Sequence, residues 1–378
     1  MPRWLYFLLI MAVIAPLIEL IGGHQQEIAI FICSAISLVP LAVLIGLATE
    51  DLEYHFGPVG GGLLNATFGN APEIIIGIFA LQNGLITVVK ASIIGSIISN
   101  MLLVLGSSLA LGGLRWGKQF FSVRDAGQYS TMMVLAVAGL VIPTTGSYVI
   151  SDPGRIQSIS LAISIILLLV YAMYLAMHVF HLRSKRRHTR RQGKTTPLPS
   201  SPGETEEAET VTGEVALIER EGQKPPKLWL AGLLLLTATA GVAWNSELLV
   251  SAIKPVTEQL GWSQVFIGLV IIPIVGNAAE HSSAIFIAWR DRVDLSMAIA
   301  AGSSIQVATF VAPLLVLVSV LFSTQLNLVF QPLELAVLGL STILFPLVTL
   351  DGESNWLEGV QLVAVYVMAC VVFFFIAG

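Results

Sequence analysis

Charged residues are scarce in this chain. Asp, Glu, Lys and Arg make up 11% of its 378 residues, where a soluble domain carries about 25%. So small a share cannot clothe a globular surface, and it excludes an ordinary soluble protein. Cysteine is scarcer still: Cys33 and Cys370 are the only two, far apart and each within an apolar run. Neither a disulfide framework nor a thiolate metal site is expected. The net charge of −5 says little about partners, because the charge is concentrated in one segment.

What the chain does have is apolar sequence, at 55% of all residues. It falls into eleven runs about long enough to cross a bilayer. An all-α membrane protein with about eleven transmembrane helices is therefore expected. The first run, 4–21, follows Arg3 as a signal peptide's would. It lacks a small-residue cleavage site, since Gly22-Gly23-His24 is a poor match, and it is read as a retained helix. The single long polar stretch, 183–227, opens with seven basic residues between Arg183 and Lys194 and turns acidic from Glu204. Its composition is that of a flexible linker, with room for one short acidic helix. The expected division is a transmembrane helix in 1–25, a five-helix unit in 26–182, the charged linker in 183–227 and a second five-helix unit in 228–378.

Basic residues collect on the cytoplasmic side of membrane proteins. With the linker cytoplasmic, the N-terminus is inside as well. Arg115, Lys118, Arg124, Arg290 and Arg292 then fall in inner loops, and the outer loops keep only Arg155 and Lys254. The C-terminus is expected outside.

Two apolar runs contain nearly the same pentapeptide, Gly69-Asn70-Ala71-Pro72-Glu73 and Gly276-Asn277-Ala278-Ala279-Glu280. A carboxylate at bilayer depth is costly and marks function by default. The offset of 207 that relates the two also pairs Gly95-Ser96 with Gly302-Ser303 and Ile98 with Ile305, and gives 10 identities over the 31 positions from 69 to 99. The two five-helix units therefore read as copies. Because five is odd, the second enters the membrane from the opposite side, as in many secondary transporters.

In the first copy, Gly69 to Pro72 are expected to interrupt the helix; Gly60-Gly61-Gly62 either interrupt it as well or, the favoured reading, permit close helix packing. Pro72 cannot donate to the carbonyl four residues back and disfavours helix at Ala71. In the second copy Ala279 replaces Pro72, so less distortion is expected around Gly276. Glu73, Glu280, Asn70 and Asn277, with carbonyls freed near Gly69 and Gly276, offer oxygen alone, which suits a hard cation such as Ca²⁺ and leaves Mn²⁺ open. Ser99 and Gln306 hold matching positions and are candidate ligands, although small polar residues there serve equally as helix-packing contacts. Without Ca²⁺, two nearby carboxylates in a poorly solvating site repel each other and take up protons, with coupled titrations. His281 can relay or sense protons, or be a packed histidine bonded to a carbonyl. Glu50 and Glu247 form another related pair; they attract cations into the two entrances or are solvated helix ends.

Leu63–Glu73, Gly95–Gly106 and Pro273–His281 resemble the Ca²⁺/H⁺ antiporters, the cation/proton exchanger family of the Ca²⁺/cation antiporter superfamily. The resemblance covers nearly the whole chain. It implies Ca²⁺ held at Glu73 and Glu280 with backbone carbonyls and nearby Asn and Gln side chains. It also implies a gate formed by the first two helices of each half or by the added first helix. Na⁺/Ca²⁺ exchangers share the architecture but usually have Ser or Thr where Asn70 and Asn277 stand. The expected function is Ca²⁺/H⁺ antiport by alternating access, exporting Ca²⁺ from the cytoplasm of a prokaryotic cell. No cofactor is expected, and the partners are Ca²⁺, H⁺ and the lipid bilayer, without nucleic acid. Na⁺-coupled Ca²⁺ exchange is the alternative; an intramembrane acid hydrolase and a passive cation channel fit the paired Asn-Glu motifs less well.

Overall fold

The computed structural model describes residues 7–22, 26–192 and 227–375. The first part of the chain forms helices α1 (Met11–Gly22), α2 (Glu27–Phe68), α3 (Ala71–Gln82), α4 (Ile86–Trp116), α5 (Val123–Ser147) and α6 (Pro153–Gln192). The second part forms α7 (Leu228–Ser251), α8 (Ile253–Leu260), α9 (Gln264–Gly276) and α10 (Ala278–Trp289). It continues with α11 (Val293–Ser319), α12 (Pro332–Thr349) and α13 (Trp356–Phe375). Among the described residues, eight helices are long and apolar enough to cross a membrane, and the bent pair α9–α10 makes a ninth. Large apolar side chains such as Leu169 and Met173 on α6, or Ile343 and Leu347 on α12, face outward. An apolar exterior wants lipid, and the chain is a multi-pass membrane protein.

Several of the eleven expected runs differ, most of all the first and the one expected over 58–82. The first gives an apolar helix over Phe7–Ile21 only, short of the roughly 20 residues that a straight span needs. The run 58–82 is not one element. Residues 58–68 continue α2 beyond a kink at Gly57 (φ 73°, ψ 176°), and the remainder is α3. The backbone at Gly57 lies in a region open to glycine and strained for other residues. Gly60, Gly61 and Gly62 remain within the helix, so the interruption weighed for them does not occur there.

The most buried helices, α4 and α11, are apolar on every side and pass through the interior. Glycines let the neighbours approach. A Cβ at Gly95 would collide with the Leu269 carbonyl of α9, and one at Gly359 with the Ala110 amide of α4. Both are backbone-to-backbone contacts of the kind small residues permit in membranes. Helix α2 packs along α7, with α1 against both.

One short sheet departs from the all-helical expectation. Gln119–Phe120 (β1) pairs antiparallel with Glu353–Ser354 (β2), joining the loop after α4 to the loop before α13. Lys118 pairs with Glu353 beside it. Helix α6 continues to Gln192, past its expected end at 182. Lys and Arg are good helix formers, and positive charge is favoured at a helix C-terminus. The rest of the linker, including the acids from Glu204 onward, lies outside the described residues.

Candidate functional site

Glu73 and Glu280 each stand in the first turn of a 12-residue helix, three residues after an Asn that is not helical. Asn70 has φ −96° and ψ 14°, and Asn277 has φ −94° and ψ 13°. The smaller distortion expected in the second copy is therefore not found: α9 and α10 meet at a bend of 62°. Pro72 occupies one of the first two positions of α3, where a missing N–H leaves no helix bond unmade. The proline accommodates the break without causing it. Ala71, expected to resist helix, is the first helical residue.

The Asn residues do something other than cap their own helices, since neither makes a side-chain cap bond. Each reaches across to the other part of the chain. Asn70 Nδ2 donates to Gln306 Oε1 on α11 at 2.7 Å, and Asn277 Nδ2 donates to Ser96 Oγ on α4 at 3.1 Å. Both breaks are thus stitched to a buried helix of the opposite half, and this brings the two glutamates into one region.

Glu73 is 7% exposed, and neither of its carboxylate oxygens has a hydrogen-bond partner in another residue. Its Oε1 would lie 3.3 Å from a Cβ placed on Gly276, so the carboxylate rests against the break in the other half. Glu280 accepts a bond from Ser303, while its Oε2 is buried without a partner. Asn277 Oδ1 is buried and unpartnered as well. The two carboxylates are close enough to interact electrostatically. Buried charges left unpaired are expensive, so these oxygens call for a bound cation or for protons.

A cavity of about 120 Å³ reaches Glu280, and Gly69, Gly276, Gln306, Glu50 and Glu53 are among the residues that line it. Glu73 is not part of its wall. Glu247 is exposed on α7 and lies outside this cavity, so the structure does not bring the two expected entrance acids together. Gly69 ends the first broken helix, its N–H donating to Asn65 O at 2.7 Å. Ser99 begins a π-turn (Ser99–Val104) and donates to the Ser96 carbonyl at 3.1 Å, as a packing residue would. His281 is buried and bonds the side-chain amide of Asn100 rather than a backbone carbonyl, with its Nε2 3.0 Å from Asn100 Oδ1. Among the described residues no three His, Cys, Asp or Glu cluster as a metal site. A cation between the glutamates would therefore draw on amide and backbone oxygens too, as hard cations do.

Sequence reasoning passed over Asn100 and Glu53. Asn100 maps by the 207-residue offset onto Val307, so a search for repeated polar residues cannot flag it. Glu53 lies one helical turn after Glu50, and that spacing was the available signal.

A bundle of membrane helices with buried carboxylates at two helix breaks defines a secondary ion transporter. The model of the sodium/calcium exchanger protein family matches residues 4–180 and 230–375, and the chain belongs to this family. It is 38% identical over 365 residues to a Ca²⁺/H⁺ antiporter of Aphanothece halophytica, covering 95% of this chain and 94% of that one. It is 39% identical over 371 residues to the Ca²⁺/H⁺ antiporter ChaA of Bacillus subtilis, covering 97% and 98%. Among solved structures, native YfkE superposes with a TM-score of 0.77 at 36% identity, covering 97% of this chain and 99% of that one.

Proposed function

We propose that this protein exchanges Ca²⁺ for H⁺ across a membrane by alternating access, with Glu73 and Glu280 as the shared site for both ions. The observation that carries the reading is the pair of buried carboxylates whose free oxygens converge where two broken helices meet. Ca²⁺ or protons neutralise the pair, and the empty ionised site resists reorientation. Asn70, Asn277 and Gln306, with carbonyls near Gly69 and Gly276, complete the oxygen set for Ca²⁺. Relatives named Ca²⁺/H⁺ antiporters at 38% and 39% identity support the choice of ions.

The proposed architecture is eleven crossings: α1, then five in each half, with the second half inverted. Support comes from helix bounds that recur at the same offset, Ala71–Gln82 with Ala278–Trp289, and from two π-turns, Ser99–Val104 and Val307–Val311, that end at matching positions. With the N-terminus and the linker cytoplasmic, the cavity holding Glu50 and Glu53 opens inward, and this conformation is inward-facing. We place the protein in a prokaryotic cell membrane, exporting Ca²⁺.

The test is transport into inside-out vesicles or proteoliposomes. A pH gradient should drive ⁴⁵Ca²⁺ uptake, and a Na⁺ gradient should not. Because protons compete for the same oxygens, apparent Ca²⁺ affinity should rise as the pH on the binding side is raised. Near-normal uptake by both Glu73→Gln and Glu280→Gln would overturn the site assignment.

A further inference from the structure

We infer that Asn100 is a positioning residue that fixes Glu280 through Ser303 and makes the two carboxylates functionally unequal. Three bonds in series end on Glu280. His281 Nε2 donates to Asn100 Oδ1 (3.0 Å), Asn100 Nδ2 donates to Ser303 Oγ (2.9 Å), and the Ser303 hydroxyl donates to the carboxylate. Every donor points toward Glu280. The four residues come from three elements: Asn100 from the π-turn of α4, Ser303 from α11, and His281 and Glu280 from α10. Asn100 is 1% exposed, which shields the bonds at its amide from water, while Ser303 and Glu280 line the cavity.

The Glu73 side is wired differently. Ser96, which corresponds to Ser303 by the common offset, takes its bond from Asn277 and not from the π-turn. The residue that corresponds to Asn100 is Val307, which donates nothing from its side chain. Asn70, the counterpart of Asn277, bonds Gln306 rather than Ser303. Glu73 is left with no hydrogen-bond partner in another residue. A π-turn displaces side chains relative to a regular helix and is often kept at functional sites. Both halves have such a turn, and the difference lies in the residue it carries: Asn100, which bonds Ser303, in one and Val307 in the other. Glu280 is therefore the oriented member of the pair, and Glu73 is the member whose orientation the bound ion must set.

This inference rests on the assignment of Glu73 and Glu280 as the ion site, and one set of proteoliposome measurements separates the two claims. The variants are Asn100→Val, which copies the other half, Ser303→Ala and the double variant, with Glu280→Gln as the control. Asn100→Val should raise the apparent KM for Ca²⁺ by about tenfold, the most that loss of one neutral hydrogen bond usually produces, and change the maximal rate much less. Ser303→Ala should do the same, and the double variant should be no worse than the poorer single one, because both act through one bond. Additive effects, or a lowered maximal rate at unchanged KM, would overturn the role of Asn100. If Asn100→Val does not assemble, Asn100→Ser, which keeps a donor, carries the same cycle with Ser303→Ala. Persistent transport by Glu280→Gln would instead overturn the site itself.

Discussion

The two halves of the bundle carry the same motif and use it in different surroundings. Around Glu280 there is a cavity, a bond from Ser303 and a chain of donors; around Glu73 there is packed protein and no partner from another residue. The glycines that precede the matched serines tell the same story. Gly302 has nothing within 4 Å of an added Cβ and lines the cavity, whereas Gly95 is pressed against the Leu269 backbone. One side of the proposed site is open and the other is closed by helix contact. Near-identical backbone at Asn70 and Asn277 therefore does not make equivalent sites. In a transporter that alternates between two faces, a single conformation has to break the likeness of its halves.

The comparison can be broken at several points. The largest effect is expected from removing either carboxylate charge: Glu73→Gln and Glu280→Gln should each reduce pH-driven Ca²⁺ uptake by more than about 100-fold, the scale for losing one member of a buried charged site. Unequal residual activities would sharpen the contrast between the halves, and equal wild-type activity would end it. Next come the glycines. Gly95→Ala should destabilise the bundle by about 1–3 kcal/mol, the usual cost of overpacking, read as a lower midpoint in detergent melting. Gly302→Ala should leave that midpoint nearly unchanged. A reversed order would mean that the open and closed sides have been misassigned. Asn70→Ala and Asn277→Ala each remove one stitch between halves and should weaken apparent Ca²⁺ affinity by roughly tenfold; wild-type affinity in both would show that the stitches do not shape the site.

The smallest effect belongs to the surface pair Lys118–Glu353, far from either carboxylate in sequence. Its hydrogen bond to Glu353 raises the Lys118 pKa above the usual lysine value. A raised value in the folded state means that the contribution is present below the unfolded lysine pKa and is lost as pH rises through the folded one. Lys118→Ala should thus change melting little at neutral pH, and any difference from wild type should vanish in strong alkali or high salt. A large neutral-pH loss would show that the β1–β2 contact matters more than exposed ion pairs usually do.

Much of this was legible in the residues. The shortage of charge gave the membrane class, and most of the apolar runs became helices, because helix is the main way a chain satisfies its backbone without water. The repeated Gly-Asn-Ala-x-Glu drew attention to both helix breaks. The misjudged points depended on partners distant in sequence. Proline chemistry predicted a stronger break at Pro72 than at Ala279, yet Asn70 and Asn277, each tied to the opposite half, adopt the same backbone. The kink of α2 fell at Gly57, a choice that local propensity does not make.

By itself, then, the sequence determined that the chain crosses a membrane many times and buries two glutamates beside two asparagines, since burial preference and helical period are properties of the residues themselves. Only the tertiary structure decided which glutamate meets the cavity, that Asn100 joins His281 to Ser303, and that Gly95 is closed while Gly302 is open. Those are contacts between segments some 170 to 210 positions apart, and one helix carries no record of which face its distant partner will cover.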